Sequence, residues 1–485
     1  MYHRYLSGIC VLHVYIKYMT NENVVGKTFK KGNVKGLLPP IFKLEKPNNK
    51  DKNWDKVFSL FAHKQEKYKK LLDNSNKPRY IYWDKFKFKS ASDEELTAEE
   101  KWYLIRQIRN LSSSVVPVKS ESGSFFKWMR LLCVDEHLHK IDMFAGGRLF
   151  NKSSTLMPTK RNTLLNRGIM EEAIASSQLE GAHTTRKAAK EFLFNKRTPR
   201  NESEYMILNN YKTINTIAEE YKNQNLSRDL LFEIHAMLTD NTVDKSEQHR
   251  FRKNSDEIIV QGQIGSEEYI THIPPSEDFV DEQIDKLIDY ANDVDQKFIH
   301  PVIKAIVLHF WIGYLHPFTD GNGRLARALF YWYLLKKGYW TFMYLPISTI
   351  IRKAPLQYAM AYIYSEQDNL DFTYFYDFHI SKIIQAIDEF ENYIDTKVNE
   401  KKNIDLLLDK KFNLNDRQKQ LIHYLISEAS PSASVASHSL LHNISRQTAT
   451  RDFKFLEKKN LIYSKRSGKY IKYFPTEKLI IETSD

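Results

Sequence analysis

The sequence predicts a mainly α chain carrying two small β-hairpins, and three observations predict it. Apolar residues recur at three- and four-residue spacing through most of the long segments, the mark of helices with one buried face. Two stretches, 250–275 and 461–474, exchange that rhythm for strand-like alternation around glycines. Between two strongly helical patterns lies residues 316–327, His-Pro-Phe-Thr-Asp-Gly-Asn-Gly-Arg-Leu-Ala-Arg, a loop that joins a helix to a helix.

Composition narrows the class further. At 485 residues the chain has room for roughly two to four domains. A hydrophobic share of 42% with 13% aromatics is that of a globular chain, not a disordered one. Cys10 and Cys133 are the only cysteines, too few for a disulfide framework, so a reducing, cytoplasmic setting of bacterial type is expected. No run reaches the about 20 apolar residues that a spanning helix needs, so no membrane role is expected. His13 and nearby tyrosines dilute the apolar start, which argues against a signal peptide. The net charge of +12 implies anionic partners, and residues 412–478 concentrate it, with 12 Lys/Arg against 5 Asp/Glu.

In chain order, residues 1–77 form an ill-defined N-terminal segment in which 54–72 reads as one amphipathic helix. Residues 78–150 read as a helical N-terminal domain, with Thr97 and Glu100 as a capping box. The main domain is placed at 151–370. It opens with a helix at 166–181 that Gly181 ends at its C′ position, and Ser176 and Glu180 lie one turn apart on one face of it. Two further helices occupy 202–243, with His235 turned to the core. A hairpin follows at 258–275, closed by Pro274-Pro275. The almost unbroken apolar run 301–315 reads as a core helix that delivers His316 to its end; the helix after Gly323 buries one face, and another helix spans 348–370. A linker helix at 371–411 leads to residues 412–485, read as three helices and two strands around Ser467-Gly468, the plan of a winged helix-turn-helix. There Arg446, Gln447, Thr448 and Arg451 would be offered to DNA, with Lys465, Arg466 and Lys469 suited to phosphates; a protein-docking or dimerisation module is the other reading.

The central loop has a chemical logic. Gly321 and Gly323 free the backbone so that amide N–H groups can converge at a helix N-terminus, where the dipole favours an anion. Arg324 and Arg327 stand on the first turn, three residues apart, so both forks are expected to reach that anion. Asp320, an acid beside an anion site, makes sense if a hard cation such as Mg²⁺ lies between them. His316 can take a proton near neutral pH. Together these read as phosphate-transfer chemistry.

The same residues resemble the Fic (Fido) signature, HPFx[D/E]GNGRxxR, at every defined position. The resemblance implies a protein adenylyltransferase fold and activity, moving AMP from ATP to a Ser, Thr or Tyr hydroxyl of a target protein. It implies His316 as general base and Asp320 as Mg²⁺ ligand. Gly321, Asn322 and Gly323 would cradle the α- and β-phosphates with Arg324, and Arg327 would take the γ-phosphate. Ser176-x-x-x-Glu180-Gly181 is similar to the inhibitory helix of such proteins, whose glutamate pairs with the second signature arginine, here Arg327. The hairpin would be a flap holding an extended target strand through Ile270, Thr271 and His272, and Tyr358 matches an aromatic on the adenine side, with core packing as its alternative. Two other functions stay open: removal of AMP with Glu180 positioning water, and a nucleotide-sensing transcription regulator. Relatives also transfer UMP or phosphate, so ATP rests on the resemblance. A homodimer is compatible with all of these.

Overall fold

The computed structural model describes residues 27–30, 38–48, 54–90, 95–145, 158–194, 197–295, 297–427, 432–467 and 470–484. Cys10, the apolar start of the chain, Gly468 and Lys469 lie outside the described residues. The chain divides into two compact units, Met1–Asp388 and Glu389–Asp485. The described parts of segments 1–77, 78–150 and 151–370 all belong to the first.

The first unit starts with a short strand β1 (Lys27–Lys30) and helices α1 (Trp54–His63), α2 (Gln65–Asn76), α3 (Trp83–Lys89) and α4 (Ala98–Leu111). The single helix expected over 54–72 is two, interrupted at Lys64, whose φ of −126° and ψ of 45° are not helical. Helix α4 begins with the expected capping box: Thr97 accepts from the Glu100 amide, and the Glu100 carboxylate accepts from the Thr97 amide.

Contrary to the expectation, residues 78–150 are not wholly helical. Strands β2 (Ser113–Lys119) and β3 (Phe125–Met129) pair antiparallel there. Val115, Val116 and Val118, then Phe125, Phe126 and Trp128, supply the β-branched and aromatic side chains that favour a pleated surface. Helix α5 (Val134–Met143) comes next, then α6 (Pro158–Leu179), α7 (Arg186–Phe194), α8 (Glu202–Glu219) and α9 (Arg228–Thr239).

Strands β4 (Ile258–Ile264) and β5 (Glu267–His272) form the expected hairpin, turning at Gly265 with φ +72°. β1 adds to β4, giving the sheet order β1-β4-β5. Helix α10 (Glu277–Ala291) leads to α11 (Pro301–Leu315) and α12 (Asn322–Lys336). α11 is apolar on every side and buried on every side: of its 15 residues only Pro301 and Gly313 are not buried. Phe310 and Trp311 within it are fully buried, as is Trp332 on α12.

The helix expected over 348–370 is broken into α13 (Ile347–Arg352) and α14 (Pro355–Gln367), because Pro355 disfavours helical geometry in the residue before it. α15 (Thr373–Phe412) occupies the stretch read as a linker helix at 371–411. The second unit holds α16 (Asp416–Ser427), α17 (Val435–His442), α18 (Arg446–Lys458), the antiparallel hairpin β6 (Ile462–Ser467) and β7 (Tyr470–Pro475), and α19 (Glu477–Ser484). Its own core includes Leu421, Ile422, Leu425, Phe453, Leu456, Leu461 and Leu479. Asn443, at φ +48°, turns the chain between α17 and α18, and Ser445 caps α18 by accepting from the Thr448 amide.

Candidate functional site

The site is a loop held rigid from all sides. α11 ends on His316 in the left-handed conformation, φ +48°, where a residue with a Cβ needs outside support. Arg252 supplies it. Buried, it donates from Nε to the His316 carbonyl at 2.7 Å and from Nη2 to the carbonyls of Leu315 at 3.3 Å and Pro275 at 2.5 Å. The Asn322 side chain staples the far side: Oδ1 accepts from the Phe318 amide at 2.9 Å and Nδ2 donates to its carbonyl at 2.8 Å. Asn322 therefore shapes the cradle with its side chain. His235 stacks on Phe318 with ring centroids 3.6 Å apart and an interplanar angle of 8°, and its Nε2 donates to the Asp320 carbonyl at 2.9 Å. Burial lowers its pKa to about 4. Gly321 caps α12 at φ +83°, and a Cβ there would stand 2.8 Å from Thr239 Cγ2.

The two arginines part company. Arg324 is fully buried and spent on the protein: Nη1 donates to the Leu238 carbonyl at 2.8 Å, one of the open carbonyls at the end of α9, and Nη2 to Asp320 at 3.1 Å. Successive positions in a helix are turned by 100°, so a three-residue step leaves the two side chains diverging, and α9 captures the first. Arg327 points to α6 instead. Its Nε donates to Ser176 Oγ at 2.7 Å, and its Nη2 to the Ser176 carbonyl at 3.0 Å and Glu180 Oε1 at 2.8 Å.

Glu180 lies just past the end of α6, where Gly181 at φ +100° turns the chain and the Ala182 amide donates back to the Ser177 carbonyl. Its carboxylate rests on Gly323: a Cβ on that glycine would be 2.1 Å from Glu180 Oε1. A carboxylate thus occupies the N-terminal turn of α12, the place where the backbone and the dipole favour an anion.

His316 is buried, and its Nδ1 faces the Gly313 carbonyl at 3.1 Å. That partner makes Nδ1 the protonated nitrogen of the neutral ring and Nε2 the proton acceptor. Burial first, then the charge of His272, lowers its pKa to about 3. His272, 6.2 Å away between ring centroids, has both nitrogens on acceptors, Glu366 Oε2 at 2.8 Å and the Tyr314 carbonyl at 2.8 Å. Two acceptors suit an imidazolium, and despite burial the Glu366 carboxylate raises the His272 pKa.

The other flap residues lie beside it. Ile270 is buried opposite Gln261, and the Thr271 hydroxyl donates to the Val260 carbonyl at 3.2 Å. Tyr358 sits in an aromatic cluster with Tyr362, Phe375, Phe378 and His379, its hydroxyl 2.8 Å from His309 Nε2. Burial raises the pKa of that hydroxyl and the nearby Arg327 charge opposes the rise, so the ring packs in the core and also borders Arg327. In the second unit Arg446, Gln447 and Arg451 are exposed along α18, Thr448 is half-buried against Ser445, and Lys465 and Arg466 are exposed on β6.

Among the described residues, no group of three or more His, Cys, Asp or Glu is arranged to hold a metal ion. Asp320, half-exposed at the mouth of the loop, still suits Mg²⁺, which takes one or two carboxylates and completes its shell with substrate phosphates and water. Arg252, His235, Glu247 (which accepts from the Thr319 hydroxyl at 2.8 Å) and Glu366 were not readable in advance, since each lies tens of residues from the loop it supports.

Residues 225–334 match the Fic/DOC family. Among curated relatives, "Protein adenylyltransferase Fic" of Nematostella vectensis is 37% identical over 68 residues, 14% of this chain and 16% of the relative. "Protein adenylyltransferase fic-1" of Caenorhabditis elegans is 33% identical over 95 residues, 19% of each chain. The chain thus spans less than a fifth of the length of these relatives. Among solved structures, a Fic family protein from Desulfovibrio desulfuricans G20 aligns with a TM-score of 0.44 at 18% identity, over 70% of this chain and 96% of that one. Fic-1 from C. elegans aligns at 0.43 and 17%, over 55% and 73%. The stretch that matches the Fic/DOC family includes the whole His316–Arg327 loop.

Proposed function

We propose that this protein is an autoinhibited protein adenylyltransferase that transfers AMP from ATP to a Ser, Thr or Tyr hydroxyl of a target protein. The observation that carries the reading is the Glu180 carboxylate seated on Gly323 and bound to Arg327 beside a proton-accepting His316. A carboxylate held there takes the place of a terminal phosphate, so ATP cannot settle in its reactive pose while Glu180 remains. The names of the relatives, protein adenylyltransferases, agree.

With Glu180 displaced, the α12 N-terminus and Arg327 would receive the triphosphate. Asp320 would hold Mg²⁺, which when bound neutralises phosphate charge. His316 Nε2 takes the hydroxyl proton while Nδ1–H stays on the Gly313 carbonyl. The hydroxyl oxygen bonds to the α-phosphorus, the bond from that phosphorus to its bridging oxygen breaks, and pyrophosphate leaves. Positioning and charge complementarity supply the acceleration. The negative charge of a bound triphosphate favours the imidazolium, so nucleotide binding itself would raise the depressed pKa of His316.

The test is incubation with α-labelled ATP and Mg²⁺. Wild type should incorporate little label, Glu180→Gly much more and His316→Ala none. Freeing a charge-assisted contact worth about 1.5–3 kcal/mol corresponds to a gain of roughly tenfold to a hundredfold. Glu180→Gly labelling no better than wild type would overturn the reading, and loss of an AMP-removing activity in that variant would favour the reverse reaction. For the second unit the proposal is a winged helix-turn-helix that contacts DNA, supported by the exposed Arg446, Gln447 and Arg451 on α18 and Lys465 and Arg466 on β6. A cytoplasmic setting completes the reading; no described helix is long and apolar enough to cross a membrane.

A further inference from the structure

The outer strand edge of the flap is already filled. In the β4–β5 pair Ile270 stands opposite Gln261, and its amide and carbonyl face outward, away from β4. Both are taken by the chain's own residues: the Ile270 amide donates to the Pro40 carbonyl at 2.9 Å, and the Phe42 amide donates to the Ile270 carbonyl at 2.9 Å. Ile41 thereby makes a parallel bridge to Ile270.

Beyond that bridge the segment is clipped rather than woven in. Gln367 of α14 grips it with both ends of its amide, Nε2 donating to the Phe42 carbonyl and Oε1 accepting from the Leu44 amide, each at 2.9 Å. The Phe42 ring stands edge-on to Tyr269, 5.3 Å between centroids. Further along, the Tyr82 hydroxyl donates to the Glu45 carbonyl and Lys87 pairs with the Glu45 carboxylate. Pro39 and Pro40 have no N–H, so the pairing cannot lengthen in that direction.

Two features set this segment apart from an ordinary edge strand. It lies on the strand that carries His272, whose ring is 6.2 Å from that of His316, and continuing the register of the Ile41–Ile270 bridge by two residues would set Lys43 level with His272. Although the chain holds 28 tyrosines, residues 29–53 contain no Ser, Thr or Tyr. Whatever segment lies on this edge passes the proposed base, and the one present offers it no hydroxyl.

We infer that residues 38–48 are an internal occupant of the strand edge that a target's extended segment takes. The edge accepts a segment running parallel to β5, with its hydroxyl residue at the position Lys43 now holds. This rests on the adenylyltransferase reading for the purpose of the edge, but not for the exchange itself. It makes a second block, independent of Glu180: Glu180 guards the nucleotide, residues 38–48 guard the acceptor.

The test needs no nucleotide at first. Phe42→Pro removes the amide that donates to Ile270, and Gln367→Ala opens the clip without touching the segment. In both full-length variants the Ile270 amide should exchange with deuterium roughly tenfold faster or more, as a tethered occupant at millimolar effective concentration is released. A fluorescent peptide copying residues 38–48 should bind each variant at least about tenfold more tightly than wild type, where the tethered copy outcompetes it. Unchanged Ile270 protection in both variants, or equal peptide binding by all three proteins, would overturn the inference. A second peptide with Lys43→Tyr, added with labelled ATP to the Glu180→Gly, Phe42→Pro variant, should become labelled. Peptide that binds but takes no label would count against the transfer reading while leaving the exchange established.

Discussion

At the scale of single residues, the site is governed by which buried groups carry charge. His316 and His379 both have pKa values lowered to about 3, and His235 to about 4, with burial the largest cause in each. In the unfolded chain these rings titrate near about 6.5, so between that value and about 3 the unfolded state binds more protons than the folded one. Stability therefore rises with pH across that window: it is fully present above about 6.5 and is lost as pH falls toward about 3. Urea midpoints measured at pH 7.5 and pH 5 should drop on acidification, and His379→Gln, which removes one of these groups outside the 316–327 loop, should flatten the dependence. An unchanged slope would count against neutral burial.

Arg252 makes the opposite case, a buried cation that the fold needs. Three carbonyls depend on its guanidinium, and hydrogen bonds to charged groups contribute about 1.5–3 kcal/mol each. Arg252→Met should cost about 3 kcal/mol or more in a denaturant titration and should abolish labelling in the Glu180→Gly background, because the left-handed His316 loses its support. Activity surviving that substitution would show that the loop holds its own shape.

At the scale of elements, the turn from α11 into α12 relies on one conformation that side chains resist. Gly321 at φ +83° sits against Thr239 and His235. In Gly321→Ala the left-handed backbone costs about 1–2 kcal/mol, and the methyl would also press on Thr239 Cγ2, 2.8 Å away. Thermal unfolding should fall by an amount beyond the backbone cost alone, and ATP protection of α12 amides from exchange should weaken. The flap shows what an element owes to its neighbours. Its alternation specified a hairpin, but β1 on one edge and residues 40–42 on the other come from more than two hundred residues upstream.

At the scale of the whole molecule, two compact units with separate cores invite separate tests. The DNA reading of the second predicts salt-dependent duplex binding by the full chain. Each phosphate contact removed should lower the slope of log affinity against log salt by about 1. Arg451→Ala and Lys465→Ala together should lower it by about 2, with no change in labelling by the first unit. A slope that does not move would leave the basic face of α18 and β6 without a nucleic-acid role.

What the sequence determined alone was local and dense. The twelve residues from His316 to Arg327 carried the family signature, Ser176 and Glu180 their one-turn spacing, and Thr97 and Gly181 their caps, because short-range rules of dihedral angle and hydrogen bonding act on neighbours. The β2–β3 hairpin went unread because helical context on both sides masked a brief alternation. Only the tertiary structure decided where the arginine forks point, that Glu180 lies on Gly323, that His272 is held between two acceptors, and that residues 38–48 fill the flap edge. Each depends on groups brought together from distant parts of the chain, and burial sets the charge and direction of a side chain only after the surrounding elements have packed.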